Sequence, residues 1–286
     1  MKATAFAPVN VALIKYWGKS DPILRLPANS SLSVSLTNLG TTTTVEWREN
    51  AEPKIITENN FPMSVGLSSS ASGYAALTVA MAAAAGLKLS EKELSRLARL
   101  GSGSACRSIP GGWVEWAKGN DKASYGKTIF PANWWDLRIL VVLLSTKPKP
   151  VSSSAGQKLA ATSPYFAART KAVPGKIKQI KQAIKQKNFT VMGEIMEADC
   201  LNMHQVMQTQ QPPLNYLLPE TEIVIQAIRQ WRGEGLESYF TINTGQNVFV
   251  FCQPQNESKL VDKLSHTGCV IEVRWDKIGP GARLLA

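Results

Sequence analysis

The chain has 286 residues, 44% of them apolar, enough for a substantial core in one large or two small domains. No apolar run reaches membrane-span length and the N-terminus, "MKATAFAPVN", has no basic-then-apolar leader, so a soluble, cytoplasmic protein without membrane attachment is expected. Lysine and arginine outnumber the acids by 32 to 21, and a formal charge of +11 favours an acidic partner: nucleic acid, anionic lipid or a phosphorylated small molecule.

The elements follow in chain order. "TAFAPVNVALIKYW" and "SSLSVSL" read as short strands flanking turn chemistry in "KSDPILRLPANS". "TTTTVEW" and "KIITE" read as two further strands. "SSSASGYAALTVAMAAAAGL" is helical and ends near Gly86, and in "SEKELSRLARLGS" Ser90 and Glu93 are spaced as a capping box. "GGWVEWA" alternates as a strand does. "DLRILVVLLS" (136–145) is a nearly continuous apolar run, expected to be a central strand. We place a domain boundary just before it, giving residues 1–135 and 136–286.

Beyond the boundary, the lysine-rich "KAVPGKIKQIKQAIKQK" (171–187) puts Ile177, Ile180 and Ile184 on one helix face. No aromatic side chain interleaves these lysines, so a solvated face is expected rather than a nucleic-acid platform. "FTVMGEIMEADCLNMHQVM" and "PETEIVIQAIRQWRGEG" are further helices, and "SYFTINTG", "NVFVFCQP" and "GCVIEVRW" are closing strands. The class is α+β, with roughly ferredoxin-like alternation in the second half. Cys106, Cys200, Cys252 and Cys269 form no CxxC pair and are expected to be reduced thiols.

The chemistry concentrates in two loops. "PMSVGLSSSASGYAAL" brackets three serines with glycines at the mouth of a helix, where backbone amides lack partners and the dipole is positive. That pattern suits a polyphosphate, with Ser69 and Ser70 the closest contacts; an ordinary serine-capped helix packed on alanines explains the same segment. It is not a Walker A loop. "GSGSACRSIPGGW" (101–113) is a second small, hydroxyl-rich loop carrying Arg107, whose planar fork suits a carboxylate or phosphate. A loop arginine is by default expected at the surface.

"APVNVALIKYWGKSD", "LPANSSLSVSL", "ENNFPMSVGLSSSASGYAAL", "LARLGSGSACRSIPGGWVEW" and "PVSSSAG", in this order over nearly the whole chain, resemble the successive motifs of the diphosphomevalonate decarboxylase family of the GHMP kinase superfamily. "EADCLNMH" resembles that family's acidic helix. The resemblance implies a two-domain GHMP kinase fold, with a ribosomal-S5-like N-terminal domain and a ferredoxin-like C-terminal domain, acting as a homodimer. It implies ATP and Mg²⁺, phosphorylation of the 3-hydroxyl of mevalonate diphosphate, and loss of phosphate and CO₂. By resemblance Ser68, Ser69 and Ser70 hold ATP phosphates, and Asn59 lies near the base. Tyr16 and Lys19, helped by Ser102 and Ser104, meet the substrate diphosphate. Arg107 grips the carboxylate, Lys15 adds positive charge beside the reacting oxygen, and Ser152 and Ser153 belong to a closing loop.

This chain departs from the family in two places. Asn243 occupies the position of the family's catalytic aspartate, keeping its shape but unable to accept a proton at neutral pH. The connection between "TTTTVEWREN" and "KIITENNFP" is only "AEP", shorter than in relatives that wall the nucleotide site with a helical segment there. These departures admit other readings beside the decarboxylase: a phosphomevalonate decarboxylase, a mevalonate 3-kinase-like enzyme, or a silent relative that binds isoprenoid phosphates or a protein.

Overall fold

The computed structural model describes residues 1–47, 52–63 and 65–285. Most of the shortened connection, residues 48–51, lies outside the described residues. The first half contains β1 (Lys2–Ile14), a small hairpin of β2 (Lys19–Asp21) and β3 (Leu26–Pro27), β4 (Ser31–Glu46), β5 (Lys54–Asn59), α1 (Ser69–Ala84), α2 (Glu91–Gly101), β6 (Trp113–Trp116) and β7 (Gly126–Phe130). The second half contains β8 (Arg138–Leu143), α3 (Ser153–Gln157), α4 (Phe166–Gln186), α5 (Phe189–Thr209), α6 (Pro219–Gly233), β9 (Ser238–Thr241), β10 (Val248–Cys252), α7 (Glu257–Ser265), β11 (Glu272–Lys277) and β12 (Arg283–Leu285).

Two sheets carry the fold. The first runs β12-β1-β4-β6-β7, with β5 also paired to β4. The second runs β11-β8-β10-β9, so β8 is interior, as its apolar run predicts. The boundary before residue 136 falls between the sheets, but β12 returns to pair with β1, joining the end of the chain to the first sheet.

The two strands expected at "SSLSVSL" and "TTTTVEW" are a single long strand, β4. The segment between them, "TNLG", is a kink within that strand. Against β1, the register jumps from Asn10–Ser35 to Pro8–Gly40, so residues 36–39 bulge. The carboxylate of Asp276 accepts the freed amides of Thr37, Asn38 and Leu39 at 2.9–3.1 Å. Six short elements escape the sequence reading: β2, β3, α3, β7, α7 and β12. The capping box at Ser90 is present, with Ser90 N–H donating to Glu93 at 2.8 Å.

The largest core cluster draws on both halves: Val9, Leu13 and Val34 pack in it with Ile139, Val141 and Phe249. Ile177, Ile180 and Ile184 of α4 enter the same core. α1 packs mainly through alanines, at Ala75, Ala76, Ala80 and Ala84, with Val79 the one larger buried side chain. Such small side chains bring the helix close to the sheet and hold its N-terminus beside β1.

Candidate active site

A cavity of about 350 Å³ lies among β1, the loop before α1, the loop after α2 and α3. Ser68, Ser69 and Ser70 line one wall. Ser68 adopts left-handed backbone at φ 63° and makes no side-chain cap to α1. Its hydroxyl instead donates to the Asn10 carbonyl (3.2 Å) and accepts from Asn243 Nδ2 (2.9 Å). The first turn of α1 carries no acidic residue, so the positive end of its dipole faces the cavity without a compensating charge. Gly66 (φ 88°) lets this loop meet Gly245 backbone to backbone; a Cβ on Gly66 would stand 2.5 Å from Gly245 Cα.

The loop after α2 supplies Ser102, Ser104 and Arg107. Arg107 is only 4% exposed, which corrects the expectation of a surface arginine. Its guanidinium donates to Ser31 Oγ (2.7 Å) and Asn10 Oδ1 (3.2 Å), lies over the Trp116 ring, and leaves Nε without a partner among the described residues. No carboxylate pairs with it among the described residues, and burial lowers its pKa.

Lys15 and Tyr16 follow directly on β1, and β2 begins with Lys19. Lys15 is 1% exposed, and its Nζ donates to Asn243 Oδ1 at 3.0 Å. Burial pulls its pKa down to about 8; Arg107 adds to the drop, and Asp199 opposes it. Asp199 orders the Lys15 backbone by accepting its N–H at 2.7 Å, while Arg169 and Lys176 pair with the same carboxylate at 2.9 and 3.0 Å. Burial works against that carboxylate, yet the two cations prevail and hold it below the ordinary range. The Tyr16 hydroxyl is buried without a partner among the described residues, and burial pushes its pKa up. Lys19 Nζ donates to Ser154 Oγ at 3.0 Å, and burial lowers its pKa.

Ser152 caps α3 through the Ala155 amide, and Ser153 meets Thr244 Oγ1 at 2.6 Å. Both line the cavity, as does Asn243. Twelve of the thirteen candidate residues thus share one cavity: Lys15, Tyr16, Lys19, Ser68, Ser69, Ser70, Ser102, Ser104, Arg107, Ser152, Ser153 and Asn243; only Asn59 stands apart. Asn59 sits on β5 and accepts from Thr41 Oγ1 at 2.6 Å, and Thr41 in turn contacts Ser72 of α1.

The structure adds residues that sequence reasoning missed. Lys149 lines the cavity and donates to Ser153 Oγ (2.6 Å) and the Thr244 carbonyl (2.7 Å); burial pulls its pKa to about 8. Its only signal was its position just before "PVSSSAG". Arg25 lines the cavity from the β2–β3 turn. His204, buried beside Lys15, has its pKa pulled to about 3 by burial and is neutral. Five cations line the cavity (Lys15, Lys19, Arg25, Arg107 and Lys149) and no carboxylate does among the described residues, a surface built for a polyanion.

Comparisons with known proteins agree with this chemistry. Residues 7–56 and 48–126 match the family described as diphosphomevalonate decarboxylase-like N-terminal domain, and residues 139–279 match the mevalonate 5-diphosphate decarboxylase C-terminal domain. The diphosphomevalonate decarboxylase of Debaryomyces hansenii is 33% identical over 91% of this chain and 81% of its own length. That of Bos taurus is 32% identical over 92% and 80%. A solved structure described as "MDDEF in complex with MVAPP, AMPPCP and Magnesium" superposes with a TM-score of 0.93 at 37% identity, covering 100% of this chain and 99% of that one. The mevalonate diphosphate decarboxylase of Staphylococcus aureus gives a TM-score of 0.93 at 32% identity, over 100% and 98%. Motif order, a two-sheet GHMP kinase fold and these matches converge: the chain belongs to the diphosphomevalonate decarboxylase family.

Proposed function

We infer that this chain catalyses the ATP-dependent decarboxylation of mevalonate 5-diphosphate to isopentenyl diphosphate. The observation that carries the reading is the cation set of the cavity, two of its members buried and none facing a carboxylate among the described residues, in a chain of this family. In the reaction the 3-hydroxyl is phosphorylated first. The C3–O bond then breaks with its electron pair leaving on phosphate. The C1–C2 pair forms the C2=C3 double bond, and C1 leaves as CO₂.

The residues fit the nucleotide. The N-terminus of α1, with Ser68, Ser69 and Ser70, offers donors to phosphates. Among the described residues no group of three His, Cys, Asp or Glu could hold a metal. The site therefore fits Mg²⁺ that arrives on nucleotide phosphates and meets serine hydroxyls and water. Bound MgATP supplies the transferred phosphoryl group and neutralises phosphate charge.

The protein's own part is placement and charge. In this reading Arg107, fixed by Ser31 and Asn10, orients the carboxylate with its fork. Lys15 puts an ammonium beside the reacting oxygen, and Asp199 fixes the backbone that carries it. Tyr16, Lys19, Ser102 and Ser104 hold the diphosphate, while Lys149, Ser152 and Ser153 close over the phosphates. Asn243 orients Lys15 and Ser68 but takes no proton, so proton removal has no carboxylate help there. Asn59 is assigned to the nucleotide side on the resemblance alone.

The reading extends to residues 1–135 as the nucleotide- and substrate-binding domain and 136–286 as its partner. It also includes a homodimer, carried by the family resemblance, and a cytoplasmic setting, supported by four unpaired cysteines. Light scattering tests the dimer. The function is tested by incubating the protein with ATP, Mg²⁺ and, separately, mevalonate, its monophosphate and its diphosphate. ADP and CO₂ released together from the diphosphate alone is the expected result. ADP without CO₂, or turnover of another substrate instead, overturns it.

A further inference from the structure

We propose that Arg25 is a substrate-binding residue that grips the terminal phosphate beside Lys19 and sets a preference for diphosphate over monophosphate. The proposal rests on the functional reading above and names a residue outside every motif that carries the family resemblance.

Arg25 lines the same cavity as Tyr16, Lys19, Ser102 and Ser104. Its guanidinium makes no hydrogen bond or ion pair among the described residues. The other arginines around the site are engaged: Arg99 with Asp121, Arg169 with Asp199, and Arg107 with Ser31 and Asn10. Arg25 is half-buried beside Lys19, and the exposed Lys158 stands near the same ammonium. Like charges gathered on a cavity wall that no carboxylate lines among the described residues repel one another until an anion joins them.

Arg25 is also held in place. Asp21 accepts the amides of Ile23 and Leu24, each at 2.8 Å. Arg99, fully buried, donates Nε–H to the Leu24 carbonyl at 2.9 Å. The backbone is therefore fixed up to the residue before Arg25, which takes left-handed geometry at φ 51°. A side chain on such a platform is not a loose surface arm.

Depth orders the cations. Lys15 and Arg107 are 1% and 4% exposed, whereas Lys19 and Arg25 are half-buried. The carboxylate and reacting hydroxyl belong with the deep pair, so the diphosphate tail extends toward the outer pair. A monophosphate ends one phosphate earlier and leaves the Arg25 fork unused.

Calorimetric titration of mevalonate 5-diphosphate, mevalonate 5-phosphate and ATP into the wild type, Arg25→Asn and Arg25→Lys tests this. Asparagine tolerates left-handed backbone, so Arg25→Asn removes the charge without new strain. It should weaken the diphosphate at least ~10-fold, as loss of a charge-assisted contact does, and the monophosphate less than ~3-fold. ATP affinity should be unchanged, and Arg25→Lys should fall between. Unchanged diphosphate affinity in Arg25→Asn, or equal losses for all three ligands, overturns the proposal and leaves the function standing. Failure of the wild type to bind the diphosphate overturns both. Should Arg25→Asn not fold, Arg25→Lys decides alone: a lower diphosphate-to-monophosphate preference supports the proposal, and an unchanged one overturns it.

Discussion

Asn243 couples the cavity's chemistry to its electrostatics. Its Oδ1 is the hydrogen-bond acceptor of Lys15 Nζ, and an amide does not offset the cost of burying that ammonium. In the free protein, kcat/KM should fall as pH rises through about 8, where Lys15 and Lys149 lose their protons. Asn243→Asp places an anion beside Lys15, favours the charged lysine and should move that falling limb to higher pH. The same variant restores a carboxylate for the hydroxyl proton and should raise CO₂ release at least ~10²-fold. A pH–rate profile of both proteins reads the two effects; a limb that stays put would detach Lys15 from it. Arg107→Lys should lower kcat/KM by ~10²-fold or more, because a point charge replaces a fork. It should also lower the melting temperature, since Arg107 is buried and bonded to Ser31 and Asn10. An unchanged rate would remove Arg107 from the site. Single residues were legible where a motif surrounded them, as with Lys15, Ser70 and Arg107. Arg25 and Lys149 are lone cations in loops, and no local pattern separates them from surface residues.

The cavity depends on two elements meeting without side chains between them. The loop before α1 and the loop after β9 touch at Gly66 and Gly245, where a Cβ on Gly245 would stand 2.3 Å from Gly66 Cα. Gly245→Ala should push the loops apart, stretch the Asn243–Ser68 contact and cost ~1–3 kcal/mol of stability, as overpacking does. Activity should fall with it, and chemical denaturation beside steady-state kinetics measures both. A fully active, equally stable Gly245→Ala protein would show that the loops can part freely. The serine loop and its helix were readable because a glycine-serine run leads straight into alanines. The continuity of β4 was not. "TNLG" has turn composition, and only the distant Asp276 satisfies the amides exposed by the kink. Hydrogen bonds from more than two hundred residues away leave no local trace.

The two halves do not stand alone. One core cluster runs through both, β12 returns to β1, and Asp276 of β11 anchors the kink of β4. Heating should therefore give one cooperative transition. Asp276→Ala should lower stability by ~2–3 kcal/mol through the buried amides it strands, without changing KM for ATP. Two separate transitions in calorimetry would contradict the shared core. The class and the two-part division were legible from the order of strands and helices, while the return of β12 was hidden in a three-residue strand with no periodicity. At this scale the cation-lined cavity couples ATP cleavage to loss of a carboxylate. Mevalonate 5-diphosphate labelled at C1, incubated with the wild-type protein, ATP and Mg²⁺, tests it most directly. Labelled CO₂ and ADP should appear in equal amounts. ATP-dependent ADP formation with no labelled CO₂, or no turnover despite bound ATP and diphosphate, would contradict it.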